Sequence, residues 1–272
     1  MTRPPAAVPL HHTVDGPQGA EPLLLGPSLG TPLALWEPQL PTLSRQFRVI
    51  RWNLPGHGGA PEPGPAPTTV PGLARRVLHL ADTLGIDRFA YAGVSLGGAV
   101  GAWLAAYHPD RLVSLALICS SACFGAPGAW RERAALVRAK GTGPVADTAA
   151  ARWFTPAFAG SPQATALVDA LRRTVTPAGY AACCAALAAY DLRAELPRIA
   201  APTLVIAGRE DPATPPAHAR ELADGIPGAT LLELPGAAHL AGAERPAPVL
   251  AALLAHATGI PAFGHLAEGA DQ

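Results

Sequence analysis

The sequence has little of what marks several large classes of protein. Among its 272 residues only four are cysteine and one is methionine, and Lys plus Arg equals Asp plus Glu, at 20 each. Zero net charge without a basic stripe argues against a nucleic-acid partner, and no Lys-rich amphipathic segment indicates a membrane surface. No uninterrupted apolar run approaches the ~20 residues of a membrane span. The composition therefore favours a globular chain.

The cysteines and the N-terminus bear on the compartment. None of the cysteines forms a C-x-x-C pair, so we expect buried free thiols, consistent with a reducing compartment; they are Cys119, Cys123, Cys183 and Cys184. Residues 1–12 contain no apolar segment typical of a secretory signal. The sequence therefore predicts a cytoplasmic protein.

Short apolar runs alternate with segments of helical periodicity. The runs predict strands at 8–14, 22–26, 47–52, 89–92, 112–119, 203–207 and 230–234. Between and after them, helices are predicted at 36–43, 73–84, 97–107, 217–225 and 246–257. Strands that alternate with helices predict an α/β fold with a mostly parallel, twisted sheet flanked by helices.

The alternation stops near residue 120 and resumes at residue 203. Within 130–195 the patterns are mostly helical, and they predict helices at 130–139, 145–153, 162–175 and 177–190. A helical block between two strands of one sheet is typical of a lid. We therefore expect a core of residues 1–122 and 198–272, with residues 123–197 as a helical lid inserted before the last two strands.

The chain is organised around Gly93-Val-Ser-Leu-Gly97, where a serine lies between two glycines at G-x-S-x-G spacing. The run before it predicts a buried strand and the run after it a helix. On such a strand-to-helix turn this motif is the nucleophile elbow, whose glycines avoid clashes across a sharp turn. The helix N-terminus also carries partial positive charge where an oxyanion would form. The motif therefore predicts Ser95 as a catalytic nucleophile.

A serine hydroxyl needs a base, and the base needs a group that orients it. One known order along the chain places the acid and then the histidine after the serine, each beyond the end of a late strand. Asp211 follows the predicted strand at 203–207, and His239 follows that at 230–234. The spacing therefore predicts Asp211 as the orienting acid and His239 as the base.

Several other residues compete for these two roles. Glu210 is adjacent to Asp211, and Asp191 falls in the predicted lid. His57 lies in a glycine-rich loop, where it either lines the site or braces a turn. The remaining histidines fall on predicted helices, at their ends or on the first strand; they are His11, His12, His79, His108, His218 and His256.

An oxyanion hole of this kind uses two backbone N–H groups. One belongs to the residue after the nucleophile, Leu96. The other comes from the loop 27–30 after an early strand, where we expect Leu29, because Pro27 has no N–H to donate. The sequence has no G-x-x-x-x-G-K-[ST], no H-E-x-x-H and no Cys/His cluster of zinc spacing. It therefore predicts neither a cofactor nor a metal.

With these motifs in view, the chain resembles the α/β-hydrolase superfamily along almost its whole length and, within it, the 3-oxoadipate enol-lactonases. The more particular likeness lies in Ser28-Leu-Gly-Thr31, in Trp153-Phe-Thr-Pro156 and in Gly179-Tyr-Ala-Ala-Cys-Cys184. The resemblance implies an α/β-hydrolase fold with Ser95, Asp211 and His239 as the triad. Asn53 and Pro27 depart from the family pattern, which usually has aspartate and asparagine at these positions.

The resemblance also implies a reaction, the hydrolysis of an anionic lactone through an acyl-enzyme, in the breakdown of aromatic compounds by the β-ketoadipate pathway. A substrate with a carboxylate requires a cation in the lid, for which Arg133 and Arg152 are candidates by position, and Trp153 is a candidate apolar wall. The alternatives are a general carboxylesterase or cofactor-free perhydrolase of the same fold, and a hydrolase-fold ligand sensor with slow or no turnover. A lid without a cation near Ser95 would favour the esterase or perhydrolase.

Overall fold

A computed structural model describes residues 10–258 of the chain. The described part contains one seven-stranded sheet in the order β1-β3-β2-β4-β5-β6-β7, in which β1 pairs antiparallel with β3 and all other pairs are parallel. The strands are β1 His12–Asp15, β2 Pro22–Gly26, β3 Arg48–Trp52, β4 Phe89–Val94, β5 Leu112–Ile118, β6 Thr203–Gly208 and β7 Thr230–Leu234. The predicted mostly parallel sheet is confirmed.

Eleven α-helices occur within residues 10–258. They are α1 Leu40–Gln46, α2 Val70–Thr83, α3 Leu96–Tyr107, α4 Pro127–Lys140, α5 Gly143–Asp147, α6 Ala149–Trp153, α7 Pro162–Thr174, α8 Pro177–Ala188, α9 Pro216–Gly225, α10 Ala241–Glu244 and α11 Pro246–Thr258. Three 3₁₀ helices accompany them, at Leu33–Trp36, Pro109–Arg111 and Arg193–Arg198. No helix in this part of the chain is long and apolar enough to cross a membrane.

The central strands are buried along their whole length, which explains their continuous apolar sequences. Every residue of β4 and of β6 is buried, and six of the seven residues of β5 are buried. Parallel strands covered by helices on both faces have no solvent face to alternate with. Because β2, β4, β6 and β7 run parallel, the loops that follow them emerge at one edge of the sheet.

Two of the helix predictions were wrong in their extent. The segment 36–43 is not one helix: the 3₁₀ helix ends at Trp36, and α1 begins at Leu40 with Pro41 in its first turn. Proline lacks an N–H and fits only the start of a helix. The segment 145–153 is two short helices that meet at Thr148.

The other helices agree with their predictions to within a few residues. The strand predicted at 8–14 is confirmed only from residue 12 onward, and residues 1–9 and 259–272 lie outside the described residues.

Five helices, α4 to α8, lie between β5 and β6, although these two strands are neighbours in the sheet. We call this segment the helical insertion. The predicted helical block between two strands of one sheet is therefore confirmed. The insertion packs on itself through α4 and α8, and it meets the core beside the loops that follow β4, β6 and β7.

Candidate active site

Ser95 adopts a backbone conformation that few residues other than glycine adopt. It lies between β4 and α3, with φ of 55° and ψ of −115°. A Cβ on Gly93 would lie 2.3 Å from the carbonyl carbon of Gly97, and one on Gly97 would lie 2.5 Å from that of Gly26. Backbone strain of this kind costs about 1–3 kcal/mol and clusters at functional sites. The G-x-S-x-G spacing is thus a packing requirement of this turn.

Hydrogen bonds to the backbone hold the strained turn in place. The Ser95 N–H donates to the Ile118 carbonyl at 2.9 Å, and the Ser120 hydroxyl donates to the Ser95 carbonyl at 2.8 Å. The buried Tyr91 hydroxyl donates to the Gly97 carbonyl at 2.9 Å. The Ser95 side chain itself lines a cavity between the sheet edge and the helical insertion.

Asp211 and His239 are brought together at the same edge. Asp211 lies just beyond β6 and His239 just beyond β7, and Asp211 Oδ2 is 2.8 Å from His239 Nδ1. Both side chains are almost fully buried, at 0% and 5% exposure. His239 lines the same cavity as Ser95. An aspartate on Nδ1 fixes the ring and leaves Nε2 as the group that can act as a base.

Three further donors surround the Asp211 carboxylate. Oδ1 accepts the N–H groups of Ala213 at 2.7 Å and Thr214 at 3.0 Å, and Oδ2 accepts the Thr214 hydroxyl at 2.7 Å. Burial alone would raise the pKa of Asp211, but the charge and hydrogen bond of His239 and the donors of Thr214 outweigh burial and lower it. Asp211 is therefore held as a carboxylate beside the imidazole.

The competing residues have other partners. Glu210 accepts the Ala237 N–H at 3.1 Å, and Asp191 pairs with Arg193 at 2.6 Å. His57 is fully buried. Its Nδ1 lies 2.8 Å from the Pro55 carbonyl oxygen, and its ring stacks on the Tyr180 ring with 6.5 Å between the ring centroids. Within residues 10–258, Asp211 is the only acidic residue within hydrogen-bonding distance of the His239 ring.

The two amides predicted for an oxyanion hole belong to the residue after Ser95 and to the loop that follows β2. Leu96 is the first residue of α3, so its N–H has no acceptor within the helix. Leu29 lines the cavity, and its N–H donates to no other group among residues 10–258. The Pro27 carbonyl accepts the Gly97 N–H at 2.9 Å, which fixes this loop to the elbow. That bond needs only a carbonyl oxygen, which proline provides.

The cavity beside Ser95 has a largely aromatic wall contributed by the helical insertion. Trp153, at the end of α6, lines the cavity with only 5% of its surface exposed, and Phe124 and Trp130 add further rings. The core side contributes Thr214 and Leu29. Such a cavity suits a small, partly apolar molecule.

Two arginines of the insertion also line this cavity. Arg133 lies over the Trp130 ring, 4.8 Å from its centroid, and Arg152 donates to the Val145 carbonyl at 3.0 Å. Neither forms an ion pair with an acidic side chain within residues 10–258. Burial lowers the pKa of Arg152, and the charge of Arg133 acts in the same direction. Two neighbouring cations without a counter-charge are suited to binding an anion.

The sequence motifs assigned no individual role to several residues of this site. Thr214 and Glu244 act through hydrogen bonds, and Tyr180 lines the cavity beside Arg152. The position of Thr214, three residues after the acid, is a weak signal, because short polar side chains often cap such turns.

No group of three metal-ligating side chains occurs in the described part of the chain. Three of the four thiols are buried, and Cys123 is half-buried.

The fold and this geometry agree with the comparison to protein-family models. Residues 21–246 match the model described as the alpha/beta hydrolase fold. The chain belongs to the α/β-hydrolase family. Its similarity to 3-oxoadipate enol-lactonases shows that it is an enzyme of the ester-hydrolase class.

Within this family the chain is similar to enol-lactonases. It is 37% identical to 3-oxoadipate enol-lactonase 2 of Acinetobacter baylyi over 88% of this chain and 89% of that protein. It is 33% identical to 3-oxoadipate enol-lactonase 1 of the same organism, over 86% and 87%. The crystal structure of the enol-lactonase from Burkholderia xenovorans superposes with a TM-score of 0.88 at 40% identity, covering 92% of this chain and 96% of that one.

Proposed function

We propose that this enzyme hydrolyses 3-oxoadipate enol-lactone to 3-oxoadipate, with Ser95 as nucleophile, His239 as base and Asp211 as the acid that orients the base. One observation carries the proposal. A single cavity holds the strained Ser95 and the Asp211-paired His239 together with two arginines that have no acidic partner among the described residues. An ester-cleaving centre next to an anion-binding wall matches a lactone that carries a carboxylate. The similarity to enol-lactonases supports the same substrate.

In the first half of the reaction, His239 Nε2 takes the proton of the Ser95 hydroxyl as Oγ attacks the lactone carbonyl. The N–H groups of Leu96 and Leu29 stabilise the negative oxygen of the tetrahedral intermediate. Its collapse breaks the bond between the acyl carbon and the ring oxygen, which opens the ring. The leaving group is an enolate. His239 gives it the proton that it took from Ser95, and the resulting enol becomes the ketone when that proton moves to carbon. The product of this half is an acyl-enzyme on Ser95.

In the second half, water attacks the acyl-enzyme. His239 takes a proton from the water, and the same two amides again stabilise the oxyanion. Ser95 leaves with the proton that His239 returns, which regenerates the free enzyme and releases 3-oxoadipate. No redox step or external group is required, and we therefore propose that the enzyme uses no cofactor.

We propose that Arg133 and Arg152 bind the substrate carboxylate and that Trp153 forms the apolar wall against the ring. Residues 123–197 would then act as a lid over the bound lactone. Arg152 is already held by backbone carbonyls, whereas the Arg133 guanidinium lies over the Trp130 ring and has no hydrogen-bonding partner within residues 10–258. Arg133 is accordingly the more adjustable of the two.

We further propose a cytoplasmic location, where catabolism of small aromatic compounds takes place.

The first experiment is ultraviolet-monitored hydrolysis of 3-oxoadipate enol-lactone generated in situ, with Ser95→Ala as the matched variant. We expect turnover that Ser95→Ala reduces by at least about 10³-fold, because the nucleophile is lost. Turnover of aryl esters without turnover of the lactone would retain the triad and reassign the enzyme as a general carboxylesterase or perhydrolase. Absence of turnover on both would favour the ligand sensor.

A second experiment tests the anion site. Arg133→Gln should raise KM for the lactone about ten-fold or more, corresponding to the ~1.5–3 kcal/mol of a hydrogen bond to a charged group. KM for neutral p-nitrophenyl acetate should stay unchanged. Arg131→Gln, on an exposed position two residues away in α4, is the control. Equal effects of Arg133→Gln on both substrates would contradict a carboxylate-binding role.

A further inference from the structure

Glu244 has its carboxylate buried next to the loop that carries His239. The residue ends the short helix α10, five positions after His239, and is 8% exposed. Oε2 accepts the Ala238 N–H at 2.9 Å. Oε1 accepts the Thr155 N–H at 3.1 Å and also the Thr155 hydroxyl. The two oxygens of one side chain therefore bind two segments that are more than 80 residues apart in the chain.

A second contact joins the same two segments. The Leu240 N–H donates to the Trp153 carbonyl at 3.0 Å. The residues on both sides of His239 are thus hydrogen-bonded to the same stretch of the helical insertion, Ala238 through Glu244 and Leu240 directly. That stretch carries Trp153, which lines the cavity.

We propose that Glu244 is a positioning residue that holds the base loop and the Trp153 wall as one unit. This inference rests on the proposed roles of His239 and Trp153. Glu244 touches neither the triad side chains nor the cavity; it acts by fixing the backbone on one side of His239 and the backbone after Trp153. Loss of this link displaces the base relative to Ser95 and the wall relative to the substrate. Both kcat and KM therefore depend on it.

A carboxylate suits this position better than any neutral side chain of the same size. The N–H groups of Ala238 and Thr155 can only donate, so each requires an acceptor oxygen. In Glu244→Gln one of the two oxygens becomes an NH₂ group. The amide oxygen still accepts a hydrogen bond from the N–H of one segment, whereas the NH₂ group faces the N–H of the other segment. A buried N–H without an acceptor is unfavourable. Glu244→Gln therefore removes the hydrogen bond to one of the two segments without changing the volume of the side chain.

The test compares Glu244→Gln, Thr155→Val, their double variant and Glu221→Gln as the control. Glu221 lies on an exposed position of α9, so it undergoes the same chemical change away from the site. Active sites are first titrated with a fluorophosphonate that labels Ser95, so that kcat is expressed per labelled site; KM needs no such correction. Rates are measured with 3-oxoadipate enol-lactone and with p-nitrophenyl acetate. Thermal unfolding confirms that each variant is folded.

We expect Glu244→Gln to lower kcat about five- to thirty-fold per labelled site on both substrates and to raise KM for the lactone several-fold. Thr155→Val should cause a smaller loss of the same kind. The double variant should be no worse than Glu244→Gln alone, because both changes break one link. Glu221→Gln should match the wild type.

Two results would overturn the proposal. One is a Glu244→Gln variant with a normal KM and a normal kcat per labelled site, which assigns Glu244 to stability alone. The other is a double variant whose losses multiply. Failure of the proposed substrate is distinguishable, because the wild type would then cleave only p-nitrophenyl acetate, on which the loss in kcat still tests Glu244. A wild type without activity on either substrate would overturn both proposals.

Discussion

At the scale of single residues, one oxygen of Asp211 has two donors. Asp211 Oδ2 lies 2.8 Å from His239 Nδ1 and 2.7 Å from the Thr214 hydroxyl, and the hydroxyl is itself 3.3 Å from the imidazole nitrogen. The Ala213 and Thr214 amides hold only Oδ1. The Thr214 hydroxyl therefore limits rotation of the carboxylate and keeps Oδ2 aligned with the ring.

Removing this hydroxyl should impair the reaction without unfolding the protein. We expect Thr214→Val to lower kcat/KM for the lactone about five-fold, the equivalent of ~1 kcal/mol for one hydrogen bond. Thr214→Ser keeps the hydroxyl and should remain within two-fold of the wild type on the same estimate. The measurement is kcat/KM for the lactone, from steady-state kinetics of the wild type and both variants at one pH. A loss in Thr214→Ser as large as that in Thr214→Val would contradict a role specific to the hydroxyl, because serine keeps that group.

At the scale of elements, the elbow depends on close approach of β2, β4 and α3. A Cβ on Gly97 would lie 2.5 Å from the Gly26 carbonyl carbon and 2.7 Å from the Pro27 carbonyl oxygen, both of which are backbone atoms. Backbone atoms in a paired sheet cannot move as a flexible side chain can. The loop that carries Leu29 and the turn that carries Ser95 are therefore separated by a distance that only glycine permits.

Gly97→Ala should accordingly affect both stability and the site. We expect a loss near the top of the ~1–3 kcal/mol range for overpacking, measured by urea unfolding. Fluorophosphonate labelling of Ser95 should also slow at least ten-fold, in line with the ~1–3 kcal/mol of that range. Gly64→Ala is the control, since nothing lies within 4 Å of its added Cβ. A stable Gly97→Ala protein with normal labelling would show that the turn adjusts and that close packing is not required.

The elements also show which features a sequence can predict. The position of Ser95, Asp211 and His239 at one edge of the sheet could be predicted, because each follows a short apolar run and parallel strands bring their carboxyl ends together. The extents of α1, α5 and α6 could not be predicted, because Pro41 lies at the start of a helix and not inside one, and Thr148 interrupts another. Glu244 was missed because its partner Thr155 is 89 residues away, and no local pattern predicts such a contact.

At the scale of the whole molecule, His57 lies where the core meets the helical insertion. The Gly58 N–H donates to the Thr174 carbonyl at 2.9 Å, and the Thr176 N–H donates to the Gly56 carbonyl at 2.8 Å. Between these bonds the His57 ring is fully buried and stacks on Tyr180. Nδ1 lies within hydrogen-bonding distance of the Pro55 carbonyl, and Nε2 has no partner in the described part of the chain. Only a neutral ring fits these surroundings.

The burial of His57 between the core and the helical insertion should make the stability of the protein depend on pH. Burial lowers the pKa of His57 from 6.5 to about 4, although the hydrogen bond to Pro55 acts in the opposite direction. Above pH 7 the ring is neutral in both folded and unfolded chains, so it adds no pH dependence there. Between pH 6.5 and about 4 the unfolded chain binds a proton that the folded chain does not. The free energy of unfolding should therefore fall as the pH falls, by up to about 3 kcal/mol from this residue at ~1.4 kcal/mol per pH unit.

Urea unfolding of the wild type and of His57→Asn at pH 7.5, 6.5, 5.5 and 4.5 tests this prediction. The Asn amide can still donate to the Pro55 carbonyl but does not titrate. We expect His57→Asn to be less stable at pH 7.5, because it loses the stacked ring, yet to lose less stability on acidification. Other groups titrate alike in both proteins, so the difference between the two pH profiles isolates His57. His79→Asn, on an exposed position of α2, should follow the wild-type profile. Parallel pH profiles for the wild type and His57→Asn would mean that the buried ring accepts a proton in the folded state. They would contradict a neutral His57 ring between the core and the helical insertion.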